Sequence, residues 1–230
     1  IKVDYYVKTI EKEVHKVQIL DPATGTGTFL AEVVKHIHKK FEGQQGIWSK
    51  YVANDLIPRL NGFELLMASY AMAHLKMDML LTETGYKPTD DQRFKIFLTN
   101  SLEEAHQDSG TLFSSWLSDE SNQANEIKRD TPVMVIIGNP PYSGESANKG
   151  DWIMNLMEDY KKEPGGKEKL KEQNSKFIND DYVKFLRFGQ HFIEKNGEGV
   201  LAFINPHGFL DNPTFRGMRW NLLNTYDKIY

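Results

Sequence analysis

The stretch Val17-Gln18-Ile19-Leu20-Asp21-Pro22-Ala23-Thr24-Gly25-Thr26-Gly27-Thr28-Phe29-Leu30 decides the fold. Its first four residues form a short β-prone run, and Pro22, Gly25 and Gly27 punctuate its middle. Phe29 to Phe41 then carries Leu30, Val33, Val34 and Ile37 at the spacing of an amphipathic helix. Strand, glycine-rich turn and helix thus follow one another directly. Two spaced glycines let the backbone come close to a ligand, and a helix start offers unpaired N–H groups. A tight β-to-α connection uses the same residues, so the loop alone leaves both readings open. The dinucleotide fingerprint is incomplete: G-x-G is present, Leu30 stands where a third glycine belongs, and no G-K-[ST] follows. A nucleoside ligand without a pyrophosphate is the better match.

Working outward, the alternation repeats. Leu60 to Leu65 reads as a second strand, and the helix after it places Leu65, Ala68, Met72, Leu75 and Met79 on one face, expected to be the buried one. Phe94 to Thr99 is a third strand, and Val133 to Ile137, continuously apolar, is a fourth covered on both faces. A helix with Tyr182, Phe185, Leu186, Phe192 and Ile193 on one side follows, then a strand over Val200 to Ile204, a helix around Phe215 to Leu223, and Lys228 to Tyr230 as the opening of a sixth strand. Strands alternating with helices predict an α/β fold: a doubly wound, mainly parallel sheet with helices on both faces, its ligands at the carboxyl ends of the strands. Residues 42–59, 106–130 and 143–180 read as insertions. Trp48 and Tyr51 in the first are expected over the pocket, and the last, polar and lysine-rich, reads as a long loop.

Composition narrows the classes. With 230 residues, 40% of them hydrophobic and 26% charged, the chain suits one α/β domain with insertions rather than a disordered or collagen-like polymer. The absence of cysteine excludes disulfides, thiolate zinc sites, iron–sulfur clusters and a thiol nucleophile. The longest uncharged run, Thr131 to Gly144, falls well short of the ~20 apolar residues of a membrane helix. A net charge of −4 argues against a surface that grips nucleic acid all over, while permitting a local basic patch. His36 and His38 are two apart and cannot share a helix face, so no metal site is expected. The chain opens on Ile1 and stops inside what reads as a strand, and is taken as a C-terminally incomplete fragment.

Three further features can carry chemistry. Glu64 closes the second strand, where a carboxylate can accept two hydrogen bonds from ribose hydroxyls. Asn100 follows the third strand, as an adenine contact or as an ordinary turn residue. Asn139-Pro140-Pro141-Tyr142 directly follows the fourth strand and is the sharpest signal. Two consecutive prolines stiffen the loop and remove two N–H donors, so the Pro140 carbonyl can be aimed outward. Together with the Asn139 side-chain oxygen it makes a two-acceptor clamp for an amino group, and Tyr142 adds a flat face for an aromatic base.

The Asp21 to Leu30 loop, followed later by Gly138-Asn139-Pro140-Pro141-Tyr142, resembles the S-adenosylmethionine loop and catalytic tetrapeptide of amino-group DNA methyltransferases. Asn179 to Phe185 and His207 to Gly217 resemble segments of the large restriction-modification polypeptides of types IIG and ISP. The resemblance implies the class I S-adenosylmethionine-dependent methyltransferase fold, with S-adenosylmethionine as cofactor. It assigns Asp21, Pro22, Ala23, Thr24, Gly25 and Gly27, continued by Thr28 and Phe29, to the cofactor's methionine portion, and Glu64 to its ribose. Asn100 and Tyr182 flank its adenine in this reading, and Asn139, Pro140, Pro141 and Tyr142 hold the target base. The expected partners are double-stranded DNA and the target-recognition, nuclease or helicase domains of the same polypeptide, in the prokaryotic cytoplasm. One departure stands out: residues 1 to 15 lack the Thr-Pro segment that family members carry before the glycine loop.

The implied reaction is N6 methylation of an adenine flipped out of the duplex, which needs positioning and electrostatics rather than a strong base. Lys161, Lys162, Lys167, Lys169, Lys171 and Lys176, with Arg216 and Arg219, are candidate phosphate contacts, a solvated loop being the alternative. The same tetrapeptide also serves enzymes that methylate protein glutamine or RNA bases, and a non-catalytic DNA-binding scaffold would retain the fold. Those readings stay open on sequence.

Overall fold

The computed structural model describes residues 2–5, 8–11, 13–88, 92–104, 115–144, 146–172 and 175–230. They divide into two compact units, one built from Ile1–Ser101 and Ala105–Gly138, the other from Leu102–Glu104 and Asn139–Tyr230.

The first unit opens with an antiparallel pair, β1 (Lys2–Tyr5) and β2 (Lys8–Glu11). It continues through β3 (Gln18–Asp21), α1 (Thr28–Lys39), α2 (Gln45–Tyr51), β4 (Leu60–Glu64), α3 (Met67–Glu83), β5 (Lys95–Leu98), α4 (Ser115–Asp130) and β6 (Val133–Gly138). β3 pairs in parallel with β4 on one side and with β6 on the other, and β4 pairs in parallel with β5. The chain therefore steps outward from β3 through β4 to β5 and then returns to the opposite flank of β3 with β6. Such a reversal is a topological switch point, and sheets of this kind bind ligands at the carboxyl ends of their strands.

Burial explains why these runs are strands. All five residues of β4 are buried, as are three of the four in β3. Buried Asn61 in mid-strand is matched at its Nδ2, which donates to Gln18 Oε1 and to the Ile19 carbonyl, both at 3.0 Å, while its Oδ1 is buried without a partner. The apolar core beneath the sheet gathers Leu30, Val34, Leu56, Ala73, Met77 and Ile96.

The helix after β4 forms where expected but buries the other side. Tyr70, Ala73, Met77, Leu80 and Leu81 of α3 face the core, whereas Leu65, Met72, Leu75 and Met79 of the expected stripe are 62%, 52%, 52% and 54% exposed. Apolar residues occupy both sides of α3, and the side that can pass close to α1 wins: Ala73 lies 3.4 Å from where a Cβ on Gly27 would stand.

The first insertion is helical throughout, with α2 running into a π-helical turn, Val52–Leu56, and a 3₁₀ turn, Ile57–Arg59. Trp48 and Tyr51 join the core instead of covering a pocket. Trp48 is 1% exposed, its ring 5.2 Å from Phe41, and its Nε1 donates to Thr84 Oγ1 at 2.9 Å. A buried indole with its N–H satisfied is the ordinary outcome for so large an apolar ring. Of the second insertion, Ser115–Asp130 is helix α4, and 105–114 lie outside the described residues.

The second unit holds α5 (Asp151–Met157), α6 (Asp181–Asn196), β7 (Val200–Phe203), α7 (Gly208–Asp211) and α8 (Arg216–Thr225). The stretch read as a long loop, 143–180, thus contains α5 and a 3₁₀ turn, Ser175–Asn179. Ile153 and Met157 anchor α5 by burial, a signal too short to show as periodicity. α6 is buried on most of its surface, and its polar residues are matched: Arg187 reaches Asp159, Glu194 and the Leu156 carbonyl, and Gln190 reaches Tyr160, Glu194 and Asn221. Lys228–Tyr230 carries no strand, because a strand needs a hydrogen-bonded neighbour and none among the described residues pairs with it.

Candidate active site

In the first unit, β3 delivers Asp21 into the turn with its side chain 0% exposed. Its Oδ1 accepts from Ala23 N at 3.2 Å, and its Oδ2 is buried with no hydrogen-bond partner. Burial, opposed by the Ala23 N–H and reinforced by the charge of Glu64, pushes the Asp21 carboxyl up to about 7. An unmatched buried oxygen of this kind is costly, and beside a glycine-rich turn a ligand group could complete it.

The turn is held from below. Thr24 Oγ1 donates to the Asp21 carbonyl at 2.9 Å, and Thr24 N donates to the Phe63 carbonyl of β4 at 2.9 Å. β4 must come very close for this. A Cβ on Gly62 would stand 2.5 Å from Thr24 Oγ1, so only glycine fits there. Gly25 and Gly27 adopt positive φ of 55° and 80°, and the space a Gly25 side chain would fill is empty to 4 Å. Glu64 links loop and sheet: Oε2 accepts from Gly25 N at 2.7 Å and Oε1 from Leu66 N at 2.8 Å. α1 begins without a side-chain cap and without an acidic residue in its first turn, leaving its N-terminal field uncompensated.

Asp21, Gly25 and Glu64 are therefore brought together. Asn100 is half-buried beyond β5, with its carbonyl accepting from Lys128 Nζ at 2.7 Å. Sequence reasoning missed two supports here. Buried Ser101 donates through Oγ to the Pro22 carbonyl at 2.5 Å, and Lys128 also stands 5.6 Å from the centre of the Phe63 ring. Nothing local distinguishes a serine in a turn or a lysine on a polar helix, so neither carried a signal.

In the second unit, Asn139 is exposed, Pro140 is buried, Pro141 is exposed, and the Tyr142 ring is 52% exposed. The Tyr142 hydroxyl donates to Asn139 Oδ1 at 2.6 Å, with the Ile204 carbonyl 3.3 Å away as a second acceptor. An amide oxygen has two lone pairs, so Asn139 Oδ1 retains capacity for one more donor while its orientation is fixed by the first. Tyr182 meets Tyr142 edge-to-face, centroids 6.4 Å apart and planes at 86°, and burial together with the charge of Asp180 lifts its hydroxyl to about 12.

The nominated cations are largely engaged. Lys161, Lys162 and Lys171 pair with Glu158, Asp159 and Glu168. Arg216 pairs with both Glu163 and Glu172, holding Glu163 down to about 2, and Arg219 donates to the Phe209 and Asn212 carbonyls. Lys167, Lys169 and Lys176 are exposed. Among the described residues no cluster of His, Cys, Asp and Glu is arranged to hold a metal ion, and no helix is long and apolar enough to cross a membrane.

Comparison with known proteins bears on the family and the fold. The profile of the N-6 DNA methylase family matches residues 3–218. No curated protein sequence matches significantly. Among solved structures, the chain is similar to a nuclease-deletion mutant of the Type ISP restriction-modification enzyme LlaGI in complex with a DNA substrate mimic (TM-score 0.74, 22% identity, 92% of this chain and 17% of that one). It is similar to the ATP-dependent Type ISP restriction-modification enzyme LlaBIII bound to DNA (TM-score 0.69, 22% identity, 90% and 14%). It is also similar to DrdV in a DNA complex (TM-score 0.66, 27% identity, 92% and 19%). The chain thus spans less than a fifth of the length of each of these proteins, and the likeness establishes an α/β fold with a parallel sheet.

Proposed function

The chain belongs to the N-6 DNA methylase family, and on that premise we propose that it transfers a methyl group from S-adenosylmethionine to the exocyclic amino nitrogen of an adenine in DNA. In this reading it is the modification module of a restriction-modification polypeptide of the prokaryotic cytoplasm. Double-stranded DNA and further domains of that polypeptide are its partners, as the DNA complexes of LlaGI, LlaBIII and DrdV suggest.

The first unit's residues fit the cofactor on two observations: the unmatched, buried Asp21 Oδ2 and the empty space over Gly25. Asp21 would face the cationic amino-acid end, with the backbone of Pro22, Ala23, Thr24, Gly25 and Gly27 following its contour and Thr28 and Phe29 closing the loop at the start of α1. Glu64, each of whose oxygens already takes one amide N–H, has lone pairs left for ribose hydroxyls. Asn100 would border the adenine. When bound, S-adenosylmethionine supplies a methyl carbon made electrophilic by its sulfonium.

The second unit's residues handle the acceptor. Adenine's amino nitrogen is a poor nucleophile because its lone pair is delocalised into the ring. Asn139 Oδ1 and the Pro140 carbonyl would accept its two hydrogens, drawing the nitrogen toward tetrahedral geometry and localising that lone pair. Pro141 keeps the loop stiff and without an N–H to compete. The base has to leave the duplex to reach them, at a cost of a few kcal/mol, and stacking on Tyr142 returns about 1–3 kcal/mol. No strong base is required before transfer, because the proton on nitrogen becomes acidic once the methyl group is attached.

The observation that carries this reading is the exposed Asn139 amide oxygen, oriented by Tyr142, at the residue that directly follows β6. Incubation with labelled S-adenosylmethionine and mixed-sequence DNA is expected to yield N6-methyladenine. Asn139→Ala should lose transfer by about two orders of magnitude or more, in the range seen on deleting a transition-state hydrogen-bond partner. Full activity of that variant, or label that enters glutamine or RNA and never DNA, would refute it.

A further inference from the structure

The segment after Tyr142 is tied to one helix at three points. Asp180 is the N-cap of α6, its Oδ1 accepting from Tyr182 N at 3.4 Å. The same oxygen accepts from Ser143 N at 2.9 Å, and Ser143 is the neighbour of Tyr142 in the chain. Asp181, buried and next in sequence, accepts through Oδ1 from Ser146 Oγ at 2.5 Å and Asn148 Nδ2 at 3.0 Å. Lys184, one turn on and 1% exposed, donates to Ser146 Oγ at 2.7 Å and to the Asn148 carbonyl.

Helix capping alone needs only Asp180. An ammonium sunk beneath a surface loop is expensive unless matched, and burial does pull the Lys184 pKa down against the opposing charge of Asp181. A fully satisfied buried polar network selects one loop conformation over its alternatives. The contact at Ser143 has the shortest route to the site, because the Ser143 N–H shares a rigid peptide plane with the Tyr142 carbonyl.

We propose that Asp180, Asp181 and Lys184 are positioning residues for methyl transfer, fixing the chain after Tyr142 so that the Tyr142 ring and Asn139 amide are held in one arrangement, with Asp180 Oδ1 to Ser143 N–H the decisive contact. This rests on the methyl-transfer reading above. The three residues act through the loop and touch no substrate.

Two substitutions separate the staple from the cap. Asp180→Asn keeps an oxygen at the same distance and so keeps both bonds. Asp180→Ser still caps a helix well but is one atom shorter, and cannot hold Ser143 N–H as well. Hydrogen exchange of the 139–148 segment, cofactor affinity by calorimetry, melting temperature and steady-state kinetics are measured on all three proteins. Asp180→Asn is expected to match the unsubstituted chain within about threefold. Asp180→Ser should lose protection in 139–148 and lose kcat roughly 10- to 100-fold, as a misplacement of an ångström does, with cofactor affinity and melting temperature unchanged. Retained protection and kcat in Asp180→Ser, an equal loss in Asp180→Asn, or a parallel fall of kcat, affinity and melting temperature would each overturn the proposal. Exchange needs neither DNA nor cofactor. An unsubstituted chain that methylates no DNA would therefore sink the methyl-transfer reading, and the catalytic consequence with it, while exchange still decides whether the contact exists.

Discussion

The hydroxyl of Tyr142 holds the one atom on which the proposed chemistry turns, the Oδ1 of Asn139, at 2.6 Å. Removing it while keeping the ring tests what that bond contributes. A neutral hydrogen bond is worth about 0.5–1.5 kcal/mol net, so Tyr142→Phe should lower kcat by roughly 2- to 12-fold with DNA affinity preserved. Tyr142→Ala, which also deletes the stacking face, should weaken both. Equal kinetics for Tyr142→Phe and the unsubstituted chain would show that Asn139 is oriented by other means. Asp21 gives a prediction with a sign. Its carboxyl titrates at about 7 in the folded chain against an ordinary 3.8, so between those values the unfolded chain releases a proton that the folded chain keeps. Stability therefore falls as pH rises through that window and is lowest above it. Asp21→Asn should raise the melting temperature at pH 8, by at most about 4 kcal/mol of stability, and change it little at pH 4. It should also weaken S-adenosylmethionine binding. Asp21 stood out in the sequence because an acid between a strand and two spaced glycines is an unusual conjunction. Its unmatched oxygen did not, since that depends on the whole enclosure that β4 and Ser101 build around it.

Elements were legible to the degree that one physical cause fixes them. A short apolar run between turn residues reads as a strand, and β3, β5 and β6 lie within a residue or two of where the sequence placed them, although β6, expected to be covered on both faces, is only partly buried at Met134, Val135 and Ile137. α6 was found because its apolar face is broad, though not that it would bury Lys184, Arg187 and Gln190 as well. In α3 two faces compete. Tyr70, Ala73, Met77 and Leu80 make one apolar stripe and Leu65, Ala68, Met72, Leu75 and Met79 another, and periodicity cannot choose between them. The choice depends on α1, which presents Gly27 and Ala31 where only a small residue such as Ala73 can approach. The outcome is testable by stability. Met77→Ala, at 0% exposure, should cost about 2–5 kcal/mol, whereas Met72→Gln, at 52%, should stay within about 0.5 kcal/mol. Chemical denaturation of both variants would reveal a misassigned face if the order were reversed.

For the molecule as a whole, the net charge of −4 leaves any hold on DNA to local cations rather than to the surface at large. Of the eight cations that the sequence nominated, Lys161, Lys162, Lys171 and Arg216 are spent on carboxylates and Arg219 on backbone carbonyls. A charge run in sequence shows only its own side chains. The carboxylates that engage it come from other turns of the chain, as Glu163 and Glu172 come to Arg216, which is why this part of the site was least legible. Lys171 is exposed beside Glu168, and Lys167, Lys169 and Lys176 are exposed as well. If these three make the phosphate contacts, the logarithm of the association constant should fall against the logarithm of salt concentration with a slope near −3, since each neutralised phosphate contributes about −0.9. Replacing all three by glutamine should flatten the slope toward zero with cofactor binding intact. A slope of about −6 or steeper in the unsubstituted chain would mean that the paired cations exchange their carboxylates for phosphates on binding. The three proteins of known structure named above are roughly five to six times its length and were solved with DNA or a DNA mimic. A shallow slope would show that these 230 residues by themselves grip phosphate weakly, whatever methyl transfer they perform.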